Sequence, residues 1–351
     1  MSAVCQHCGR PHRNHPDTCP KTGLSMAVSG LVGSQLDRYV IEGLLGVGGF
    51  GSVYRARHTR TQAHVALKVL KPELTTDAVT LERFLREAST AAAVGSDHIV
   101  RVMDAEVTKG GVAFIAMELL DGDDLKVIAR NEAPLHPARV VNLCVQVLHG
   151  LAAAHEKGIV HRDMKPGNVF ISRRLDARGR EVEHAQVLDF GISKVTGGKP
   201  LTMAGVTMGT PSYMAWEQFT DARQVDARTD LYAVAVMLFE LLSGQKPFDA
   251  DDLPALMNKV RIGERPELRS LAPSLPVPLC AVVEKGLEKS RERRWQTARE
   301  FIAALQQAKV LLHDAPLLAP RPRPPPEDLE TVDEQRALPT LLRSDEQKTQ
   351  T

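Results

Sequence analysis

The sequence lacks any apolar run long enough to cross a membrane, and its first residues lack the charged start and apolar core of a secretion signal. It also lacks a charge excess, because 44 basic and 43 acidic residues leave a net charge of +1. Neither nucleic acid nor a membrane is therefore expected as a partner. With 43% hydrophobic and 25% charged residues, the 351-residue chain has the composition of a soluble globular protein, for which we expect a cytoplasmic location.

Cysteine is scarce, and three of the five cysteines fall within the first nineteen positions. This clustered, odd count favours a metal site over disulfides. Cys5 and Cys8 have the two-residue gap that lets one turn aim two thiolates at Zn²⁺, and Cys19 would be a third ligand. The fourth would be a histidine: His15, which has the commoner spacing, His12 or His7. We predict a zinc-binding segment over residues 1–25, with a disordered tail carrying spare thiols as the competing interpretation.

The remaining chain divides by composition. Residues 26–36 look like a linker, and residues 313–351 combine a proline run with few large apolar residues, which predicts a disordered tail. Residues 37–312 between them carry the periodic apolar patterns of a folded domain.

Glycines interrupt an alternating apolar pattern over residues 39–56, which predicts two strands joined by a flexible turn. Gly46, Gly48 and Gly51 would let backbone amides approach phosphate oxygens without side chains in the way. No helix start and no Gly-Lys-Ser/Thr end follow, which counts against a dinucleotide fold and a Walker loop. The pattern favours a strand-turn-strand flap.

A lysine interrupts the apolar strand predicted next, over residues 65–70. Lys68 would face solvent at a sheet edge or, beside a phosphate cradle, bind phosphate as a point charge. The helical pattern over residues 77–94 places Glu87 where it could pair with Lys68, although an ordinary surface salt bridge is the simpler alternative. Further patterns predict strands over residues 98–100 and 112–120, a loop over 121–125 and a buried helix over 137–157.

The stretch from His161 to Asn168 gathers an acid, two cations and an amide within eight residues. Asp163 could accept a hydroxyl proton, Lys165 could neutralise developing charge, and Asn168 could offer an oxygen to a metal ion. A polar turn would need similar residue types. A predicted hairpin then returns Asp189 close to Asn168, and this acid and amide form a hard-oxygen site suited to Mg²⁺.

These motifs resemble the protein kinase family, and most closely the bacterial serine/threonine kinases of eukaryotic (Hanks) type. The resemblance covers about residues 38–310 and rests on these segments in order: Gly46 to Val53, Val65 to Lys68, Glu87, His161 to Asn168, Asp189 to Gly191, Gly209 to Glu217, Asp230 and Arg294. It implies an α+β, two-lobed fold, in which a small antiparallel-sheet lobe with one helix precedes a larger, mainly helical lobe.

The resemblance also implies a role for each matching residue. The glycine loop would cover the ATP phosphates with Gly46, Val47, Gly48, Gly49, Phe50 and Gly51. The adenosine would be bounded by Val53, Ala66, Met117, Glu118, Leu120, Asp124 and Phe170. Lys68, oriented by Glu87, would hold the α and β phosphates. Asp163 would accept the substrate proton, while Asn168 and Asp189 would hold two Mg²⁺ (or Mn²⁺) ions.

The same resemblance implies control by phosphorylation. Lys165 and Thr210 mark the serine/threonine type. Arg162 would bind a phosphate on the activation segment, residues 189–217, with Thr202 or Thr207 as the switch site and Thr210 serving the catalytic loop. Self-association would allow autophosphorylation in trans. The alternative is that Arg162 pairs with a nearby acid.

Two residues depart from the family pattern. Trp216 stands where a proline is usual, which removes a rigid φ and alters the expected substrate-docking loop. Ala235 stands where a glycine is usual and predicts looser helix packing.

We expect an active kinase with protein substrates. The competitors are a pseudokinase, a signalling scaffold centred on the zinc segment and a small-molecule phosphotransferase. The intact Lys68, Asp163, Asn168 and Asp189 argue against a pseudokinase. Residues 209–211, Gly-Thr-Pro, argue against the small-molecule enzyme.

Overall fold

The computed structural model describes residues 31–190, 211–220 and 224–312. The predicted zinc segment, the predicted tail and the three candidate threonines lie outside the described residues. The described chain has the predicted α+β architecture, with an antiparallel sheet lobe followed by a mainly helical lobe.

The first lobe is built on a six-stranded antiparallel sheet with the spatial order β1-β2-β3-β4-β6-β5. Its strands are β1 (Gln35–Leu36), β2 (Tyr39–Val47), β3 (Gly51–His58), β4 (His64–Leu70), β5 (Val102–Val107) and β6 (Ala113–Glu118). Side chains alternate across the strands, so Ile41, Tyr54 and Leu67 form one buried apolar cluster. The opposite face supports a helix.

That helix, α2 (Ala78–Val94), follows the short α1 (Pro72–Thr75) and confirms the predicted helical pattern. Asp77 caps its start by accepting hydrogen bonds from the amides of Val79 and Thr80, and Gly95 ends it with a φ of 66°. Phe84 and Ala88 pack against the sheet. This packing buries Glu87, which lies between them on the same side of the helix.

The second lobe is centred on a helix that is buried almost all round, α6 (Ala227–Ser243). The other helices are α3 (Leu125–Glu132), α4 (Pro137–His155), α5 (Trp216–Thr220), α7 (Leu253–Ile262), α8 (Leu268–Leu271), α9 (Val277–Gly286) and α10 (Ala298–Val310). A helix that is apolar on every side belongs to a large core, and α4 and α9 supply that core here. Among the described helices, none combines the length and the apolarity needed to cross a bilayer.

The packing of α6 against α9 is close, contrary to the looser packing predicted at Ala235. A Cβ atom added to Gly286 would lie 2.5 Å from the Cβ of Ala235. The space that a glycine would leave on α6 is therefore provided by the glycine on α9. Ala235 is fully buried at this crossing.

A separate three-stranded sheet carries residues of the candidate site. It contains β7 (Gly122–Asp124), β8 (Val169–Leu175) and β9 (Glu181–Val187). The predicted hairpin is formed by β8 and β9, whose strand pairing extends to Leu175 and Glu181 and leaves a short turn. The predicted loop over 121–125 holds β7 and the first residue of α3. The strand predicted over 98–100 is wrong: only Ile99 forms an isolated bridge, with Val187.

Candidate active site

Lys68 is the centre of an ion cluster that joins three separate elements. Its Nζ donates to Glu87 Oε1 on α2 and to Asp189 Oδ1 beyond β9, both at 2.8 Å. The Lys68 and Glu87 side chains are 14% and 11% exposed, whereas Asp189 is 46% exposed. The predicted Lys68–Glu87 contact therefore forms, and it is a protected pair instead of a surface salt bridge.

Burial sets the ionisation of this cluster. It raises the pKa of Glu87 to about 7, although the Lys68 ammonium opposes the shift. Burial works against the charge on Lys68, but the carboxylates of Asp189 and Glu87 outweigh it and raise the pKa of Lys68. Lys68 is thus a permanent cation, and Glu87 is the member of the cluster that titrates near neutrality.

The catalytic loop, residues 161–168, brings Asp163, Lys165 and Asn168 together. Lys165 Nζ donates to Asp163 Oδ2 at 2.8 Å. The Asn168 amide nitrogen donates to the backbone oxygen of Asp163 at 2.7 Å and to its Oδ2 at 3.2 Å. A short 3-10 turn (Pro166–Asn168) allows this approach, because it folds Asn168 back towards the start of the loop. These contacts hold the Asp163 carboxylate in one orientation.

A buried acid on α6 accepts hydrogen bonds from the backbone of the catalytic loop, a role that the sequence motifs did not reveal. Asp230 Oδ2 accepts from the amide of His161 and Oδ1 accepts from the amide of Arg162, both at 2.8 Å. His155 Nε2 lies 2.8 Å from the same carboxylate. Asp230 is 1% exposed. The only sequence signal was a lone acid opening an apolar helix.

His161 connects the loop to the strand end that carries Asp189. It is fully buried, its Nε2 lies 2.9 Å from the Leu188 oxygen, and its ring stands 4.9 Å from that of Phe190. Because Leu188 and Phe190 flank Asp189, these two contacts fix the segment on both sides of that carboxylate.

Two non-glycine residues of the site have left-handed backbone conformations. Arg162 has a φ of 66° and Asp189 has a φ of 43°. Such residues cost free energy unless their surroundings hold them in place, and they concentrate at functional sites. Arg162 directly precedes Asp163, and Asp189 is itself hydrogen-bonded to Lys68.

The glycine loop joins β2 and β3 at the edge of the site. The packing of the protein requires a glycine at position 51, since an added Cβ would lie 2.1 Å from the backbone oxygen of Val69 on β4. An added Cβ would meet nothing within 4 Å at Gly46 or Gly49. Phe50, at the tip, is 51% exposed. The loop is therefore pinned at one end and open over its phosphate-facing part.

The predicted adenosine-binding residues lie along β3, β4, β6 and β8: Val53, Ala66, Met117, Glu118 and Phe170, with Leu120 just beyond β6. The Glu118 amide donates to the Arg101 oxygen at 3.0 Å. Glu118 Oε1 accepts from the Gln186 side chain at 2.7 Å. Gln186, buried on β9, is a support for this segment that the sequence reasoning missed.

Asp124, predicted to reach the ribose, also has a structural task. Its Oδ1 accepts from the amide of Val127 at 2.8 Å and thereby caps the start of α3. The cap holds the carboxylate at the end of β7, which pairs with β8 at Phe170.

Asn168 and Asp189 fit a magnesium site that is completed by substrate. The hydrogen bonds described for the Asn168 side chain use its nitrogen, so its oxygen is available to a cation. Mg²⁺ prefers oxygen ligands and is usually held by one or two protein groups together with substrate phosphates. Within the described residues, no group of three or more His, Cys, Asp or Glu is arranged to hold a metal by itself.

Glu217 and Arg294 form a deep ion pair, at 2.7 and 3.0 Å in a bidentate arrangement. Trp216, in the place of the usual proline, packs against the helical core and stands 6.4 Å from the Phe219 ring. The helix α5 thus begins at the tryptophan and still delivers Glu217 to its partner.

Comparison with known proteins agrees with this geometry. Residues 39–306 match the family described as the protein kinase domain. The kinase pkn3 of Myxococcus xanthus is 37% identical over 297 residues, covering 83% of this chain and 52% of that protein. PknH of Mycobacterium tuberculosis is 36% identical over 285 residues, covering 81% of this chain and 44% of that protein. The chain thus spans about half the length of these relatives.

A solved structure gives the same result. The kinase domain of Mycobacterium tuberculosis PknI is similar with a TM-score of 0.61 and 29% identity, covering 79% of this chain and 98% of that domain. The family match over residues 39–306 includes residues of both lobes. The chain belongs to the protein kinase family and, within it, to the bacterial serine/threonine kinases of eukaryotic type.

Proposed function

We propose that this chain transfers the γ-phosphate of ATP to serine and threonine hydroxyls of protein substrates. The observation that carries the proposal is the Lys68 cluster, in which one protected cation bonds both Glu87 and Asp189 at 2.8 Å. Phosphoryl transfer asks a protein mainly for positioning and charge stabilisation, and this cluster is suited to both. The completeness of the set favours an enzyme over a pseudokinase.

The nucleotide would lie between the open part of the glycine loop and the catalytic loop. Backbone amides of residues 46–51 would face the phosphates, and Lys68 would exchange part of its contact with Asp189 for phosphate oxygens. Ala66 is nearly buried and small, which leaves room for a flat ring above Phe170. The Glu118 carbonyl and the backbone of Leu120 would bind the adenine edge, with Asp124 at the ribose.

Asp163 would accept the proton of the attacking hydroxyl. Its carboxylate is held by Lys165 and Asn168, so little reorganisation is needed when the hydroxyl arrives. Lys165, one hydrogen bond away, would neutralise charge on the phosphoryl group as it moves. The family resemblance associates a lysine at position 165 with the serine/threonine type.

Asn168 and Asp189 would hold Mg²⁺ or Mn²⁺. The ions, when bound, neutralise charge on the phosphate oxygens. The chain contributes one amide oxygen and one carboxylate, and it holds Asp189 in place through Lys68 and the flanking residues Leu188 and Phe190.

Phosphorylation of the activation segment would switch the enzyme. Arg162, which has a backbone φ of 66° and directly precedes Asp163, would bind that phosphate. Thr202 or Thr207 would supply that phosphate, and Thr210 would serve the catalytic loop. Transfer between two copies of the chain would be the route, so self-association belongs to the proposal, together with a cytoplasmic location and protein partners only.

The N-terminal cysteines form a separate part of the proposal. Cys5, Cys8, Cys19 and His15 would bind one structural Zn²⁺. The test is the zinc content of the purified full chain beside a Cys5→Ser, Cys8→Ser variant. Equal zinc content in the two proteins would remove the proposed site.

The kinase activity itself is tested by phosphosite mapping of the wild-type chain beside Asp163→Asn, both incubated with ATP and Mg²⁺. We expect phosphate on serine and threonine in the wild type, including the segment around Thr202 and Thr207, and a loss on the order of a thousandfold in the variant. Undiminished phosphorylation by Asp163→Asn, at unchanged thermal stability, would refute the assignment of Asp163.

A further inference from the structure

Gln218, on the short helix α5, links the end of the activation segment to the catalytic loop. Its Nε2 donates to the backbone oxygen of Arg162 at 2.8 Å, and its Oε1 accepts from the amide of Ala215 at 3.1 Å. The side chain is partly buried. We propose that Gln218 is a positioning residue that holds the backbone of Arg162 and thereby aims Asp163. The proposal rests on the kinase function argued above.

The backbone at Arg162 needs such support. Its φ of 66° places a bulky side chain in the left-handed region, which is unfavourable for residues with a Cβ atom. Two contacts restrain the peptide groups on either side of that Cα: the Arg162 amide donates to Asp230, and the Arg162 oxygen accepts from Gln218. Because the same peptide group joins Arg162 to Asp163, a rotation there would swing the Asp163 carboxylate.

Asp230 and Gln218 differ in where they come from. Asp230 belongs to α6, which is buried in the core and rigid by its packing. Gln218 lies on α5 directly after the activation segment, residues 189–217, to which the family resemblance assigns substrate docking. Gln218 would therefore report the position of that segment to Asp163, whereas Asp230 provides a constant support.

The chemistry of the residue matters because the two hydrogen bonds run in opposite directions. A side-chain amide can donate from its nitrogen and accept at its oxygen at the same time. A glutamate would keep the acceptor for Ala215 but would set a carboxylate oxygen against the Arg162 oxygen. A methionine of similar length would lose both bonds.

The size of the residue matters as well. Gln218 borders a cavity of about 10 Å³ beside Asp163 and Asp230, which is room for one water molecule. A small residue such as alanine would enlarge this cavity and lower stability for a reason unrelated to the proposal. Methionine and glutamate preserve most of the volume and separate the hydrogen bonds from the packing.

The experiment measures kcat and KM for ATP in full-length Gln218→Met and Gln218→Glu, with myelin basic protein as acceptor. All proteins are compared at equal phosphorylation, checked by intact mass. We expect kcat to fall on the order of tenfold or more in both variants, because Asp163 is misaimed, while KM for ATP stays at the wild-type value. Thermal midpoints within about 4 °C of wild type would show that the fold is kept.

Three results would overturn the proposal: full kcat in Gln218→Met, full kcat in Gln218→Glu, or a parallel loss of ATP affinity and thermal stability that reveals general damage. The matched controls are Gln307→Met and Gln307→Glu on the exposed side of α10, which are expected to behave as wild type. If the wild-type chain itself transfers no phosphate, the proposed function fails, which is distinguishable from failure of the role of Gln218.

Discussion

Two protected ion pairs, one in each lobe, join a basic residue to a glutamate in different ways. Arg294 and Glu217 are 1% and 8% exposed, and their bidentate contact is supplemented by Thr229, which donates to Glu217 at 3.0 Å. Lys68 instead divides its ammonium between Glu87 and Asp189, and the second carboxylate is 46% exposed. One pair is fully satisfied by the protein, whereas the other has an exchangeable partner.

The contrast separates a structural device from a functional one. Arg294 also donates to the backbone oxygens of Glu288 and Lys289, so its planar guanidinium has several fixed acceptors. Lys68 has a compact ammonium on a flexible stem, which can turn from a carboxylate to a phosphate. We conclude that activity depends on the exchangeable contact of Lys68 in the first lobe. Stability depends on the fully hydrogen-bonded pair of Arg294 and Glu217 in the second lobe.

The largest expected effect tests the exchangeable pair. Replacing Lys68 with methionine removes the cation that would contact the ATP phosphates, and activity should fall by at least about a hundredfold. Steady-state rates of phosphate transfer, with a melting curve of the same sample, are the measurement. A variant that retains wild-type rates would contradict the assignment of Lys68.

Substitution in the fully hydrogen-bonded pair of Arg294 and Glu217 should instead lower stability. Arg294→Met leaves Glu217 buried without its charge partner, and the free energy of unfolding should fall by about 3–5 kcal/mol. Denaturant unfolding of the single variant and of Arg294→Met with Glu217→Gln is the measurement. The double variant should recover part of the loss, and equal stability of the two would show that the stranded charge is not the cause.

The pH dependence should expose Glu87. Its pKa of about 7 means that acidification from pH 8 to pH 6 protonates the carboxylate and weakens its pair with Lys68, so kcat/KM should fall about tenfold. The contribution of Glu87 to stability changes with pH in the opposite direction to kcat/KM. Because the folded pKa lies above the usual 4.5, the contribution of this group is full below pH 4.5 and is lost as the pH rises through 7.

The control for this pH profile is Glu87→Gln. The variant should be less active at pH 8 but should lose the part of the acid decline that belongs to Glu87, while titration of ATP affects both proteins alike. If the two profiles are parallel between pH 6 and 8, Glu87 is not the titrating group.

The smallest expected effect comes from a third kind of pair. Arg299 and Glu156 contact each other across the surface with side chains 77% and 55% exposed. Arg299→Ala should change the free energy of unfolding by less than about 1 kcal/mol and leave the rate unchanged. A larger change would show that exposure, taken alone, does not separate these classes of ion pair.

Sequence reasoning found the residues of the site but not the framework that aims them. The pairing of Lys68 with Glu87 could be predicted because each lies in a recognisable motif, whereas the contact of Lys68 with Asp189 was not predicted. Asp230 could not be given its role, because its hydrogen bonds reach His161 and Arg162 in a loop 69 and 68 positions earlier. Periodicity reports which side of a helix is buried, and it says nothing of what a buried carboxylate accepts.

The errors in the predicted secondary structure have physical causes too. Strand β5 was missed because it lies at the sheet edge, alternates exposed with half-buried positions and has an irregular pairing register near Val102. Helix α3 was missed because its eight residues start at an Asp124 cap inside what looked like a polar loop. Ile99 and Val100 are apolar because they are buried against β9, where their segment forms only an isolated bridge and no strand.

The contact at Gly51 has a consequence for ligands that act on the glycine loop. Because Gly51 presses on the backbone of β4, two positions from Lys68 in the pairing register, the base of the flap and the strand that carries the lysine form one rigid body. Residues 48–50 alone lie between the paired strands β2 and β3. An inhibitor that folds the Phe50 tip inward would therefore act on three residues, and a larger residue at position 51 would clash with the backbone of Val69.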